Sequence, residues 1–117
     1  MLLAHKFAVA LEGKFNNPEG EQQVRFPGFL YTIEVESGQK FDRIVISSTT
    51  KFDRERGHTG QRSVHAFVER ATGALIKSAG WKAPAKIKTG WATKYNLETE
   101  FEKALAVADP YGSYLYQ

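Results

Sequence analysis

The side chains best suited to chemistry or binding lie in one stretch, KSAGWKAPAKIKTGWATKYNL, which spans residues 77–97. It contains five lysines, two tryptophans and one tyrosine, and it has no acidic residue. Lysines can neutralise the phosphates of a nucleic acid, and each such contact releases bound counterions. Aromatic side chains can stack on unpaired bases, which favours single strands over duplex. The stretch therefore predicts a binding surface for single-stranded nucleic acid.

The predicted surface draws on this stretch and on arginines that precede it. Pro84 limits the conformations of the KAPAKIK run and gives it the stiffness of a groove wall. Arginines between residues 54 and 62 can extend the basic patch. The residues predicted to bind nucleic acid or another partner are Arg54, Arg56, Arg62, Trp81, Lys82, Lys86, Lys88, Trp91, Lys94 and Tyr95.

Two other interpretations of the stretch stay open. Tryptophan is highly buried on average, so Trp81 and Trp91 can be core residues with the lysines as their solvated rim. Tryptophan and tyrosine are also favoured anchors in protein–protein interfaces. An acidic segment follows at residues 98–109. If that segment covers the lysines in the folded chain, a protein partner is favoured over nucleic acid.

Catalysis has less support. On a regular strand His65 shares a face with Phe67 and Glu69, so a proton relay between His65 and a carboxylate is conceivable. A general base needs a positioned partner, however, and a lone strand histidine is more often structural. No histidine has a metal-ligand neighbour at a known spacing, and no glycine-rich phosphate loop is present. We predict no catalytic residue, no metal and no cofactor; a small enzyme that uses His65 is the third hypothesis.

Length and composition point to one domain over residues 1–117. The chain has a net charge of +3 and a pI of about 9.2, and its apolar fraction is ordinary for a globular protein. It has no cysteine, which excludes disulfides and thiolate chemistry. No stretch approaches the ~18 apolar residues of a membrane helix, so we predict no membrane association.

Alternating and β-branched residues predict the strands that must position the stretch. Residues 29–36 and 41–47 form a predicted hairpin around the turn at 37–40. Residues 62–70 and 74–79 form a second hairpin, in which Gly73 supplies a positive φ. The polar segment 49–60 between the hairpins is predicted to be a long mobile loop.

Apolar periodicity predicts a helix at each end of the chain. The first covers residues 3–12 and ends at Gly13, and a loop follows over residues 12–28. The second begins after an Asn96 cap and ends at Asp109-Pro110. The predicted fold is an α+β domain, a four-stranded, largely antiparallel sheet with both helices packed on it.

Part of the sequence resembles small proteins encoded by tailed bacteriophages. The shared segments are QRSVHAFVERATGALIKSAGWKAPAK at 61–86, YNL at 95–97 and ADPYGSYLY at 108–116, so the resemblance covers roughly the C-terminal half. No activity is assigned to those phage proteins, and the resemblance implies no catalytic residues. It implies a phage origin, a location in the host bacterial cytoplasm or in the virion, and an accessory role in binding nucleic acid or a host or virion protein.

Overall fold

A five-stranded antiparallel sheet organises residues 2–116, the part of the chain that the computed structural model describes. Its strands follow the order β1-β2-β3-β4-β7. Two short strands, β5 and β6, pair separately as a small hairpin. The strand bounds are β1 Leu30–Ser37, β2 Phe41–Thr49, β3 Arg62–Glu69, β4 Ala74–Ile76, β5 Lys86–Ile87, β6 Gly90–Trp91 and β7 Thr93–Asn96.

The predicted α+β class is confirmed, and β3, from the second predicted hairpin, lies at the centre of the sheet. The sheet has one strand more than the predicted four. Strand β7 escaped the sequence analysis because it has only four residues, of which three pair with β4, and their pattern is mostly polar. It closes the sheet beside β4 and places the end of the basic stretch on an edge strand.

Within residues 2–116, four helices and one 3-10 turn accompany the sheet. Their bounds are α1 Leu3–Asn16, α2 Glu21–Arg25, α3 Lys51–Glu55, α4 Phe101–Val107 and the 3-10 turn Ser113–Leu115. The predicted end of α1 at Gly13 was wrong, because the apolar stripe continues to the fully buried Phe15. Among residues 2–116, no helix has the length and apolar character needed to cross a membrane.

The main core lies between helices α1 and α4 and one face of the sheet, which we call the core face. Strand residues Tyr31 and Ile33 are buried there, as their alternation predicts. Helices α1 and α4 meet through Phe7 and Phe101, whose ring centroids lie 5.4 Å apart edge to face. Helix α4 therefore packs on the core side of the sheet.

The predicted cap at Asn96 is replaced by a turn. The Oδ1 atom of Asn96 accepts a hydrogen bond from the Glu98 backbone N–H at 2.8 Å, and α4 begins only after Glu100. After α4, Tyr114 and Leu115 pack into the main core. The C-terminal tail is thereby anchored to the sheet.

The opposite face of the sheet, the outer face, carries a second apolar cluster. Phe67 and Ile76 are buried in it, and Phe41 and Trp91 pack against it. The chain from residue 77 to 92 forms this layer through backbone bonds such as Ala85 N–H to the Lys77 carbonyl at 2.8 Å. Residues 77–92 of the basic stretch thus lie on the side of the sheet opposite α1 and α4.

The polar segment 49–60 contains the short helix α3. Thr50 and Asp53 form a reciprocal capping box, with side chain to backbone distances of 3.0 Å in both directions. This pairing satisfies two of the N–H groups that a helix start leaves without partners. The mobility of the segment stays a prediction.

Candidate nucleic-acid interface

A groove with a volume of about 390 Å³ lies on the outer face, between the turn at 37–40 and residues 82–84. We call it the outer groove. It combines cationic and aromatic side chains with the polar backbone of a tight turn. Its lining residues are Glu36, Ser37, Gly38, Gln39, Lys40, Phe41, Arg43, Phe67, Lys82 and Pro84.

The turn at 37–40 forms one wall because its backbone closes tightly. The Gly38 N–H donates to the Phe41 carbonyl at 3.0 Å. A Cβ atom at position 38 would lie 2.5 Å from that same oxygen, so only glycine fits without a shift of the backbone. Glycine is the residue that permits close approach of two backbone segments. This closure fixes Lys40 at the edge of the outer groove.

Trp91 flanks the groove and is half buried. Its ring meets the Phe41 ring edge to face at a centroid distance of 4.8 Å. The Nζ atoms of Lys40 and Lys86 lie 5.4 and 4.8 Å from its centroid. Trp91 therefore belongs partly to the outer apolar cluster and partly to a cationic surface.

Trp81 is the more accessible of the two tryptophans, with 41% of its surface exposed. It lies in the turn that the Ala79 N–H closes by donating to the Ala83 carbonyl at 3.0 Å. The guanidinium carbons of Arg43 and Arg62 both lie 5.4 Å from its ring centroid. Trp81 is thus held by cation–π contacts and is not a core residue.

Glu36 pairs with both of these arginines. Its Oε1 accepts from Arg43 Nη1 at 2.9 Å, and its Oε2 accepts from Arg62 Nη2 at 3.0 Å. Glu34 adds a longer ion pair of 3.8 Å to Arg62. The hydrogen bonds from Arg43 and Arg62 lower the pKa of the Glu36 carboxyl, because they favour its ionised form.

The lysines of this surface have no such compensation. Within residues 2–116, Lys40, Lys82, Lys86 and Lys88 take part in none of the seven salt bridges. Lys88 lies in the turn that joins β5 and β6. These four ammonium groups are the positive charge that the surface offers to an anionic partner.

The structure brings part of the predicted residues together on the outer face and its small hairpin, and it separates the remaining ones from them. The residues brought together are Arg62, Trp81, Lys82, Lys86, Lys88 and Trp91. Tyr95 packs on the core face, with its ring centroid 6.2 Å from that of Tyr114. Arg54 donates to the carbonyls of Thr49 and Gly28 at 2.9 and 3.1 Å.

Arg56 and Lys94 also lie outside this cluster. Arg56 stacks on Phe52 at 4.2 Å. Lys94 is exposed on the edge strand β7.

The sequence analysis missed Lys40, Phe41, Arg43 and Phe67. The signal was present in β2, where Phe41, Arg43 and Val45 alternate with the core-facing residues. Their role depends on which face of the sheet the basic stretch covers, and that information is carried by long-range contacts. Strand alternation alone shows which residues share a face, but it does not show what covers each face.

His65 is placed on the core face by a β-bulge. In the pairing of β2 with β3, Ile44 faces Ala66 and Val45 faces Val64, so His65 is the extra residue. The predicted common face of His65 and Phe67 was therefore wrong, because the bulge breaks the alternation.

His65 is only 4% exposed, and burial lowers its pKa to about 4. It is consequently neutral at pH 7. Since a general base must reach the proton that it removes, this burial argues against direct contact between His65 and a substrate.

A protein-family profile matches residues 3–117, which is almost the whole chain. The chain belongs to this family. It is the family of unknown function DUF7717. No curated protein and no solved structure matches the sequence significantly. Membership of the family therefore defines relatives without assigning an activity to them.

Proposed function

We propose that this protein binds single-stranded nucleic acid through the outer groove and the two tryptophans beside it. One observation carries the proposal: lysines that form no salt bridge within residues 2–116 lie against the Trp91 ring and line the outer groove, on the face of the sheet that also carries the exposed Trp81. Lys40 and Lys86 lie against Trp91, and Lys82 follows Trp81 directly and lines the groove. Such a combination provides phosphate neutralisation together with base stacking.

The position of the acidic segment supports nucleic acid over a protein partner. Residues 98–109 could have covered the lysines, but they include α4, which packs against α1 on the core side. Glu100 instead forms an ion pair with Lys103, 3.7 Å away. The basic face thus stays open to an external anion.

The shape of the surface favours single strands. Trp81 presents an exposed ring, which an unpaired base can stack on and a paired base in a duplex cannot reach. The outer groove is a short pocket beside that ring. A duplex would need a continuous row of phosphate contacts along its backbone, whereas flexible single strands can enter a local groove.

The proposed setting follows the resemblance to phage proteins. In that setting the protein is a phage-encoded accessory factor that acts in the cytoplasm of an infected bacterium. Single-stranded intermediates of replication and transcription would be the available ligands. Affinity capture from infected cells with and without nuclease treatment tests this setting, because nuclease releases partners that are held through nucleic acid.

Binding itself is tested with a fluorescein-labelled single-stranded oligonucleotide. We expect tight binding at low salt, with quenching of tryptophan fluorescence. The double variant Lys82→Gln/Lys86→Gln should lose affinity about tenfold, and its salt slope should fall by about 1.4, since each single-strand phosphate contact contributes about 0.7. The matched control Lys6→Gln/Lys103→Gln removes two charges from α1 and α4 and should leave binding unchanged.

Absence of binding at low salt would overturn the proposal. The surface would then be assigned to a host or virion protein, for which exposed tryptophan and arginine are suitable anchors. Equal losses in the two double variants would also contradict it, because they would show that binding depends on net charge and not on this face.

A further inference from the structure

Two arginines from neighbouring strands converge on one carboxylate at the border of the outer groove. Arg43 on β2 and Arg62 on β3 donate to different oxygens of Glu36, at 2.9 and 3.0 Å. Both guanidinium groups also lie against Trp81. The result is a pair of planar donors that lie against one aromatic ring and share the Glu36 carboxylate.

The pair has more donors than Glu36 can use. An arginine carries five N–H groups, whereas a carboxylate offers two oxygens. The Nε atom of Arg43 is buried and has no hydrogen-bond partner among residues 2–116. A buried donor without a partner is costly, so an acceptor supplied by a ligand would be favourable there. A phosphate group offers an additional acceptor oxygen and matches the fork of a guanidinium.

We propose that Arg43 and Arg62 form a phosphate-binding site in which Glu36 holds the place of the phosphate until a nucleic acid binds. This inference rests on the proposed function and names the contact that deepens it. A backbone phosphate displaces the Glu36 carboxylate from the two arginines, while the adjoining base stacks on Trp81. Glu36 acts as an internal competitor that limits binding to ligands with a strong phosphate contact.

The exposure of the partners makes the exchange feasible. The side chains of Arg62 and Glu36 are 46% and 39% exposed, so Glu36 can turn towards water when it is displaced. Exposed ion pairs contribute little to stability, and phosphate–arginine pairs are among the stronger charge-assisted hydrogen bonds. Arg43 is less exposed, at 25%, and supplies the fixed half of the site.

The experiment compares Glu36→Gln with Glu34→Gln, which removes the same charge from the same strand. Within residues 2–116, Glu34 forms one ion pair, to Arg62 at 3.8 Å, and it accepts no hydrogen bond from either arginine. With a fluorescein-labelled oligothymidylate, we expect Glu36→Gln to raise affinity about tenfold, as one additional phosphate contact would. Glu34→Gln should raise it no more than about twofold, because the ion pair that it removes is long and exposed and leaves the hydrogen bonds of Glu36 in place. Equal increases in both variants would show a general charge effect and overturn the inference.

A second measurement separates this inference from the proposed function. Inorganic phosphate is titrated into Glu36→Gln, and the indole N–H resonance of Trp81 is followed by NMR. We expect a shift with phosphate that is lost in Glu36→Gln/Arg62→Gln. If the wild type binds no oligonucleotide while Glu36→Gln binds phosphate, the proposed function fails and the phosphate site stands. If Glu36→Gln neither binds phosphate nor gains oligonucleotide affinity, the phosphate site is overturned regardless of wild-type binding.

Discussion

The Nε2 atom of His65 lies 2.7 Å from the hydroxyl oxygen of Tyr114, and both side chains are buried. The contact joins the central strand β3 to the C-terminal tail. It exists because the bulge in β3 turns His65 towards the core, where Tyr114 arrives from the 3-10 turn. His65, which resembles a catalytic base in the sequence, therefore connects the C-terminal tail to the sheet.

The burial of His65 makes stability depend on pH. Burial lowers the pKa of His65 from 6.5 to about 4. Between those pH values the unfolded chain binds a proton that the folded chain does not, so the free energy of unfolding falls as pH falls from about 6.5 to about 4. The full difference corresponds to about 3 kcal/mol. Urea unfolding of the wild type at a series of pH values measures it.

The variant His65→Gln provides the control, because it cannot titrate. Its free energy of unfolding should be nearly constant between pH 6.5 and 4.5. The carboxyls with lowered pKa, such as Glu36 and Asp109, lose their contribution only below that window. A wild-type slope that survives unchanged in His65→Gln would assign the effect to another group.

At Gly73, the backbone conformation determines the stability of the fold. Its φ is +77°, and a Cβ atom there would lie 2.9 Å from Glu98 Cγ and 3.0 Å from Leu3 Cδ1. We expect Gly73→Val to lower the free energy of unfolding by more than about 1 kcal/mol, since a β-branched residue resists positive φ. In contrast, Gly13→Ala should stabilise α1 by about 0.5–1 kcal/mol, because nothing lies within 4 Å of its Cβ position. Thermal unfolding of both variants tests the pair.

The positive φ at Gly73 and the strands of both hairpins could be predicted because their signals are local. Phe29 to Glu36 alternates with the period of a strand, and a glycine between two strands is a turn signal. The β-bulge at His65 could not be predicted in this way. It depends on the register between β2 and β3, which only the packing of both faces determines.

The candidate site was predictable in part for the same reason. The basic aromatic stretch is contiguous, so Trp81, Lys82 and Trp91 were identified from the sequence. Arg43 and Lys40 join them through the folding of residues 77–92 over the outer face, which no local pattern encodes. The sequence analysis grouped Tyr95 with this surface because it is close to the other residues in the sequence. Residues that are close in sequence can nevertheless point to opposite faces of a strand.

Lys14 fixes the end of α4 and supports a third prediction. Its ammonium group donates to the carbonyls of Leu105, Ala106 and Ala108 at 2.7, 3.0 and 2.8 Å. These carbonyls lie at the end of α4, where a helix leaves its last C=O groups without the usual intrahelical partners. The Leu105 carbonyl also accepts from the Ala108 N–H at 3.3 Å. We expect Lys14→Gln to lower the free energy of unfolding by about 1–3 kcal/mol. Lys103→Gln, an exposed lysine on α4 itself, should change it by less than about 0.5 kcal/mol.

The predicted mobility of residues 49–60 can be measured by limited trypsin digestion. The first cuts should fall at Lys51, Arg54 or Arg56, because exposed polar segments open locally at low free energy. The hydrogen bonds from Arg54 to Thr49 and Gly28 should slow cleavage at that residue relative to its neighbours. First cleavage within residues 82–94 would instead identify the basic stretch as the most mobile part.

The two tryptophans should separate binding from stability. Trp91 packs against Phe41 at 4.8 Å and belongs to the outer apolar cluster, so Trp91→Ala should lower the free energy of unfolding by about 2–4 kcal/mol. Trp81 is 41% exposed and its ring lies against the guanidinium groups of Arg43 and Arg62, so Trp81→Ala should cost less than about 1 kcal/mol of stability. The same variant should weaken oligonucleotide binding by about 1–3 kcal/mol, the usual contribution of one stacked base. Denaturant unfolding measures the stability of both variants, and fluorescence titration measures their affinity for the oligonucleotide. A large stability loss and unchanged binding in Trp81→Ala would show that Trp81 supports the fold and does not stack on a base.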